Sequence, residues 1–216
     1  MNKTFLLLLS IFMVLQSCND NDRERSLVKS IRNTTAKKKH KIALLPFYGM
    51  DTSLVSKISK GIENKLNVLI TILDPIYLPD NSFYKPRQRY IADSLLVFLE
   101  EVNAGRYEKI MGLTTKDIST RKKAYENWGV LGLGYCPGKA CVVSTFRAGK
   151  KKVSQKDFER RMVTLSLHEL GHTYGLEHCP VSDCLMKDAQ GKMALDDGDS
   201  YCENCSDHLR LKLLLK

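Results

Sequence analysis

The chain predicts an α/β fold: strands alternating with two helices, then a strand pair before a third, histidine-bearing helix. Three observations carry this. Short apolar, β-branched runs alternate with two stretches of helical periodicity. A pair of strand-like runs brackets a Pro-Gly turn just before the histidine helix, and a Gly/Asp-rich loop separates that helix from a last amphipathic segment. At 216 residues and 43% hydrophobic content, the chain suits one globular domain with appendages.

Taken in order, the chain opens with a short positive start at Asn2-Lys3, and an almost wholly apolar run follows from Phe5 to Leu15. This reads as a secretory signal over 1–17, too short to span a bilayer. Leu15-Gln16-Ser17-Cys18 resembles a bacterial lipobox, which implies a diacylglycerol on Cys18. Residues 18–40 are polar and charged and read as a flexible tether. The globular domain is expected over 41–216.

Residues 41–47 form the first apolar run, stopped near Pro46 and Gly49. Leu54, Ile58, Ile62 and Leu66 recur at helical spacing, with Thr52 or Ser53 as cap. Residues 68–73 suit a second buried strand, and the segment through Pro79 and Pro86 reads as loop. A second helix is expected over 90–102, closed by Gly105, then a third strand over 107–114. Residues 128–134 and 141–146 make the strand pair around Cys136-Pro137-Gly138-Lys139. The third helix starts at Ser154, with Asp157 in capping-box spacing. The last helix is expected over 206–215.

The third helix carries His168-Glu169-Leu170-Gly171-His172, continued by Thr173-Tyr174-Gly175-Leu176-Glu177-His178. Histidines four apart on a helix lie about 40° apart around its axis, so both imidazoles project from one face. Gly175 lets the chain turn back through a positive φ, and His178 supplies a third nitrogen. Three neutral imidazoles leave the fourth position of a tetrahedral zinc ion open, the mark of a catalytic rather than a structural site. In the H-E-x-x-H pattern the glutamate, here Glu169, is the general base of a metalloprotease.

Four further cysteines follow: Cys179, Cys184, Cys202 and Cys205, with Met186 after the second. In an exported domain such a set reads as disulfides or as a closed Cys₄ zinc site, and the residues alone leave both open. Cys136 and Cys141 likewise read as a disulfide or as two small thiols. H-E-x-x-H-x-x-G-x-x-H followed by a Met is the metzincin signature. With its added cysteines the chain resembles an archaemetzincin. That resemblance implies a metzincin-like zincin fold, a twisted, mixed sheet backed by two helices with a small C-terminal subdomain after the zinc helix. It implies a catalytic zinc on His168, His172 and His178, and a structural zinc on Cys179, Cys184, Cys202 and Cys205. It also implies a Met-turn at Met186 beneath the metal, and an edge strand at 140–146 that pairs with extended substrate.

The implied activity is zinc-dependent hydrolysis of peptide bonds in a peptide or protein substrate. The alternative is a zinc-dependent binding or scaffold lipoprotein with little hydrolytic activity. A disulfide-exchange reading of Cys202-Glu203-Asn204-Cys205 is weak, because the pair lies outside any βαβ start. Net charge is +10, much of it in Lys37-Lys38-Lys39-His40-Lys41 and Lys150-Lys151-Lys152. No nucleic-acid module accompanies these runs, so no nucleic acid is expected, and beside a lipid anchor they suit a solvated face or anionic headgroups. The expected location is the bacterial cell envelope, the expected state a monomer. His40 and His208 belong to no motif and are expected to be solvent-facing or structural.

Overall fold

The computed structural model describes residues 39–122, 124–149, 153–188 and 198–214. The expected signal peptide, Cys18, most of the tether and the centre of the loop after Met186 lie outside the described residues.

Strand β1 (His40–Pro46) leads into helix α1 (Thr52–Lys65), then β2 (Val68–Ile72). Short strands β3 (Phe83–Tyr84) and β4 (Arg89–Ile91) precede helix α2 (Ala92–Asn103) and strand β5 (Lys109–Thr114). Strands β6 (Ile118–Lys122), β7 (Tyr125–Val130), β8 (Gly132–Gly134) and β9 (Ala140–Ser144) follow. The rest is helical: a single turn α3 (Thr145–Ala148), the long α4 (Gln155–Thr173) and α5 (Glu203–Leu214).

The main sheet runs β2-β1-β5-β9-β8, parallel throughout except for β8, which pairs antiparallel with β9 at the edge. The α/β class is therefore as the strand–helix alternation predicts, and the mixed sheet is as the resemblance implies. Alternate residues of β1 divide between two cores, as a strand's period of two requires. Ile42 and Leu44 join Leu54, Val55, Ile58 and Ile62 of α1 and Met162 and Leu165 of α4. Ala43 and Leu45, with Phe47 just beyond the strand, join Leu95, Leu96 and Leu99 of α2. Each of these leucines and isoleucines contributes about 1.5–3 kcal/mol by leaving water. The two expected helices thus cover opposite faces, and α4 shares one face with α1.

Several expectations need correction. The α1 cap is Asp51, whose carboxylate accepts the Ser53 N–H at 3.0 Å, and not Thr52 or Ser53, which lie inside the helix. Tyr90 belongs to β4, so α2 starts two residues later than its periodicity suggests. Strands β3, β4, β6 and β7 form a second sheet in that order, and the sequence reading assigned none of its short strands in full. The edge strand is also misplaced in the sequence reading. Residues 140–144 form β9, flanked by β5 and β8, so the open edge belongs to β8. Finally, His40 opens β1 and is buried, although the sequence leaves it in the tether.

Candidate metal centre

Helix α4 begins where the sequence places it. The Ser154 hydroxyl accepts the Asp157 N–H at 3.1 Å and donates to the Asp157 carboxylate at 2.6 Å, satisfying one of the helix's first donors. Its far end closes equally well. Leu176 N–H returns to Gly171 O at 3.0 Å and Gly175 N–H to His172 O at 2.8 Å, with Gly175 at φ +90°. That reversal brings His178 back to the other two histidines. The three donor atoms lie within 4.8 Å of one another.

Hydrogen bonding settles the tautomers. His168 Nδ1 lies 2.8 Å from Leu185 O, and His172 Nδ1 lies 2.7 Å from Leu176 O. A carbonyl only accepts, so each Nδ1 carries the proton and each Nε2 keeps a bare lone pair. The two Nε2 atoms face each other at 3.1 Å. Burial, then repulsion by His172, lowers His168 to about 4, and burial also lowers His172. A proton is therefore not available at neutral pH to relieve the opposed lone pairs. A cation does so, and nitrogens at about 2.0–2.1 Å from a tetrahedral zinc stand about 3.3 Å apart. The donor set fits zinc.

Glu169 is buried, and burial pushes its carboxyl up to about 8; an adjacent cation acts in the opposite direction. It lies directly under the edge strand. A Cβ on Gly132 would come within 2.6 Å of Glu169 Oε1, and one on Gly134 within 2.7 Å of the Glu169 carbonyl. The two glycines share one face of β8, so only a bare backbone lets the strand cross α4 here. The sequence reading missed this, although Gly132-Leu133-Gly134 inside a strand was the available signal.

The four cysteines Cys179, Cys184, Cys202 and Cys205 also converge, their sulfurs within 4.8 Å of one another. Cys179 Sγ and Cys202 Sγ are 3.8 Å apart, far beyond the ~2.05 Å of a disulfide. Sulfurs at about 2.3 Å from a tetrahedral zinc stand about 3.8 Å apart, so this set fits a closed zinc site. The knuckle is joined to the histidines: Cys179 N–H donates to Met186 O at 2.8 Å, and Leu185, between Cys184 and Met186, supplies the carbonyl for His168. Met186 is fully buried against α4, where a Cβ on Gly171 would meet its sulfur at 2.5 Å. Helix α5 docks through His208, whose Nε2 lies 3.0 Å from Tyr174 O, and Tyr201 OH donates to Leu167 O at 2.7 Å. Cys136 and Cys141 are two thiols, the first exposed and 3.4 Å from Leu176 O, the second buried.

The model of Peptidase family M54 matches residues 41–211. The archaemetzincin of Methanopyrus kandleri is 29% identical over 177 residues, covering 80% of this chain and 97% of the relative. That of Haloquadratum walsbyi is 27% identical over 173 residues, covering 76% and 96%. The crystal structure of the Methanopyrus kandleri archaemetzincin superposes with a TM-score of 0.70 at 28% identity, over 82% of this chain and 97% of that one. The malonate complex of the Archaeoglobus fulgidus archaemetzincin shares the fold, with a TM-score of 0.67 at 23% identity over 78% and 99% of the two chains.

Proposed function

The chain belongs to peptidase family M54 and is a zinc metallopeptidase, and from that premise we propose that His168, His172 and His178 hold the catalytic zinc and Glu169 is the general base. The observation that carries the reading is the pair of bare Nε2 atoms 3.1 Å apart, with Glu169 on the same helix turn. Zinc, when bound there, supplies Lewis acidity and brings the pKa of water towards about 7. Leu185 O and Leu176 O hold the Nδ1–H tautomer and orient both imidazoles, while burial keeps the rings neutral. Glu169 takes a proton from the attacking water and delivers it to the leaving amine. The free edge of β8 offers backbone partners to an extended peptide, as edge strands do in β-augmentation.

Glu169→Gln should lower peptide hydrolysis by about 10²–10⁴-fold while zinc content stays unchanged. Full activity in that variant would remove the general-base role. The same proposal includes a structural zinc on Cys179, Cys184, Cys202 and Cys205, hence two ions per chain. Metal analysis of the purified protein should give two zincs, and one in the Cys202→Ser, Cys205→Ser variant. One zinc in both would refute the second site. At the N-terminus the proposal is a lipid on Cys18 that fixes the enzyme to the cell envelope. Cys18→Ser should then move the protein from the membrane fraction to the soluble one. Among the described residues, no helix is long and apolar enough to cross a membrane.

A further inference from the structure

Away from the histidines, a cleft of about 480 Å³ opens where β1 and β5 begin and α4 ends. Its lining includes Arg106, Lys109, Lys139 and Lys212, with His40, and Glu108 is the one carboxylate among the lining residues. None of the zinc donors, nor Glu169, lines it. The Glu108 carboxylate accepts the Lys41 N–H at 2.7 Å, which turns it toward the β1 backbone.

Lys109 is the fixed point of the cluster. Its ammonium donates to Gly138 O at 2.5 Å and Thr173 O at 2.7 Å, and lies 4.6 Å from the Tyr174 ring centroid. An ammonium has three N–H donors, so one remains for a ligand. Lys139 and Lys212 are exposed, and among the described residues neither has a carboxylate partner. Burial lowers Lys109 to about 8, with the Lys139 and Lys212 charges acting in the same direction and Cys141 against it, and all three lysines line this one cleft. Four cationic side chains and one carboxylate on a single cleft leave an excess of like charge that costs stability, and a multiply charged anion lowers that cost.

We propose that this cleft binds a phosphate group, held by Lys109, Lys139 and Lys212. Several ammonium groups lining one cleft suit the three strong acceptor oxygens of a phosphate. His40, on its wall, belongs to the basic run Lys37-Lys38-Lys39-His40-Lys41, so two sources share this chemistry: free phosphate and the phosphates of a membrane surface.

The test compares the zinc-loaded full chain with a Lys139→Glu, Lys212→Glu variant, both positions being exposed. Inorganic phosphate binding, followed by ³¹P NMR, should weaken at least tenfold in the variant, with zinc content and peptide hydrolysis unchanged. Equal affinity in both proteins, or no phosphate binding in the parent, would overturn the site. Sedimentation with phosphatidylcholine vesicles, with and without phosphatidylglycerol, separates the sources. Binding to the anionic vesicles that falls in the variant assigns lipid phosphate. Vesicle binding that is unchanged, while phosphate binding falls, assigns free phosphate. Because hydrolysis is read separately, a peptidase without phosphate binding, or the reverse, is recognised directly.

Discussion

At the residue scale, the histidines and Glu169 were legible because their spacing alone places three nitrogens and a carboxylate at one helix end. What positions Glu169 was not legible, because its neighbour is an absence of side chain. Gly132 and Gly134 stand in β8, so the cue is a gap in a strand that only the fold assigns to α4. Gly132→Val should therefore displace the Glu169 carboxyl, whose Oε1 would lie 2.6 Å from the new Cβ. We expect a destabilisation of about 1–3 kcal/mol from overpacking. A fall of at least tenfold in kcat should accompany it, with zinc content intact. A variant that lost zinc in proportion to activity would show instead that β8 supports the histidines, and not the carboxylate.

At the scale of elements, α4 and its two ends were readable from Ser154, Asp157 and Gly175, whereas the second sheet was not. Strand β6 reads Ile-Ser-Thr-Arg-Lys and buries only its first two residues, so no apolar run or clean alternation announces it. The open edge was misassigned for a related reason: β9 is apolar because it is central, and the edge strand is only three residues long. The α4 reversal makes a sharper prediction. Gly175 sits at φ +90°, and an L side chain there costs about 1–2 kcal/mol. Gly175→Ala should lower the urea midpoint accordingly and speed zinc loss under chelator, since His178 lies just beyond the turn. Gly175→Asn should recover part of the loss, because asparagine tolerates the left-handed region better. Equal midpoints for all three proteins would show that the turn relaxes without strain.

For the whole domain, the C-terminal subdomain and the start of β1 meet around the end of α4, and Lys109 sits among them. Its ammonium bridges Gly138 O and Thr173 O, tying the β8–β9 turn to the helix that carries His168 and His172. Burial lowers Lys109 from 10.5 to about 8, so across that window the unfolded chain binds more protons than the folded one. Stability from this group therefore rises as pH climbs from about 8 to about 10.5, the reverse of a salt-bridged lysine. Other groups pull the opposite way at higher pH. Burial raises the Tyr174 and Tyr201 hydroxyls above 10.0 and the Cys141 thiol well above 9.0, so the folded state keeps protons that the unfolded chain gives up. The Lys109 contribution must thus be read as a difference. With zinc held saturating, the stability of the parent relative to Lys109→Met should increase across pH 8–10.5 and stay level below it. A difference flat through that range would mean that the two carbonyls hold Lys109 charged in the folded protein, and its buried ammonium would then be a fixed cation at any pH the enzyme meets.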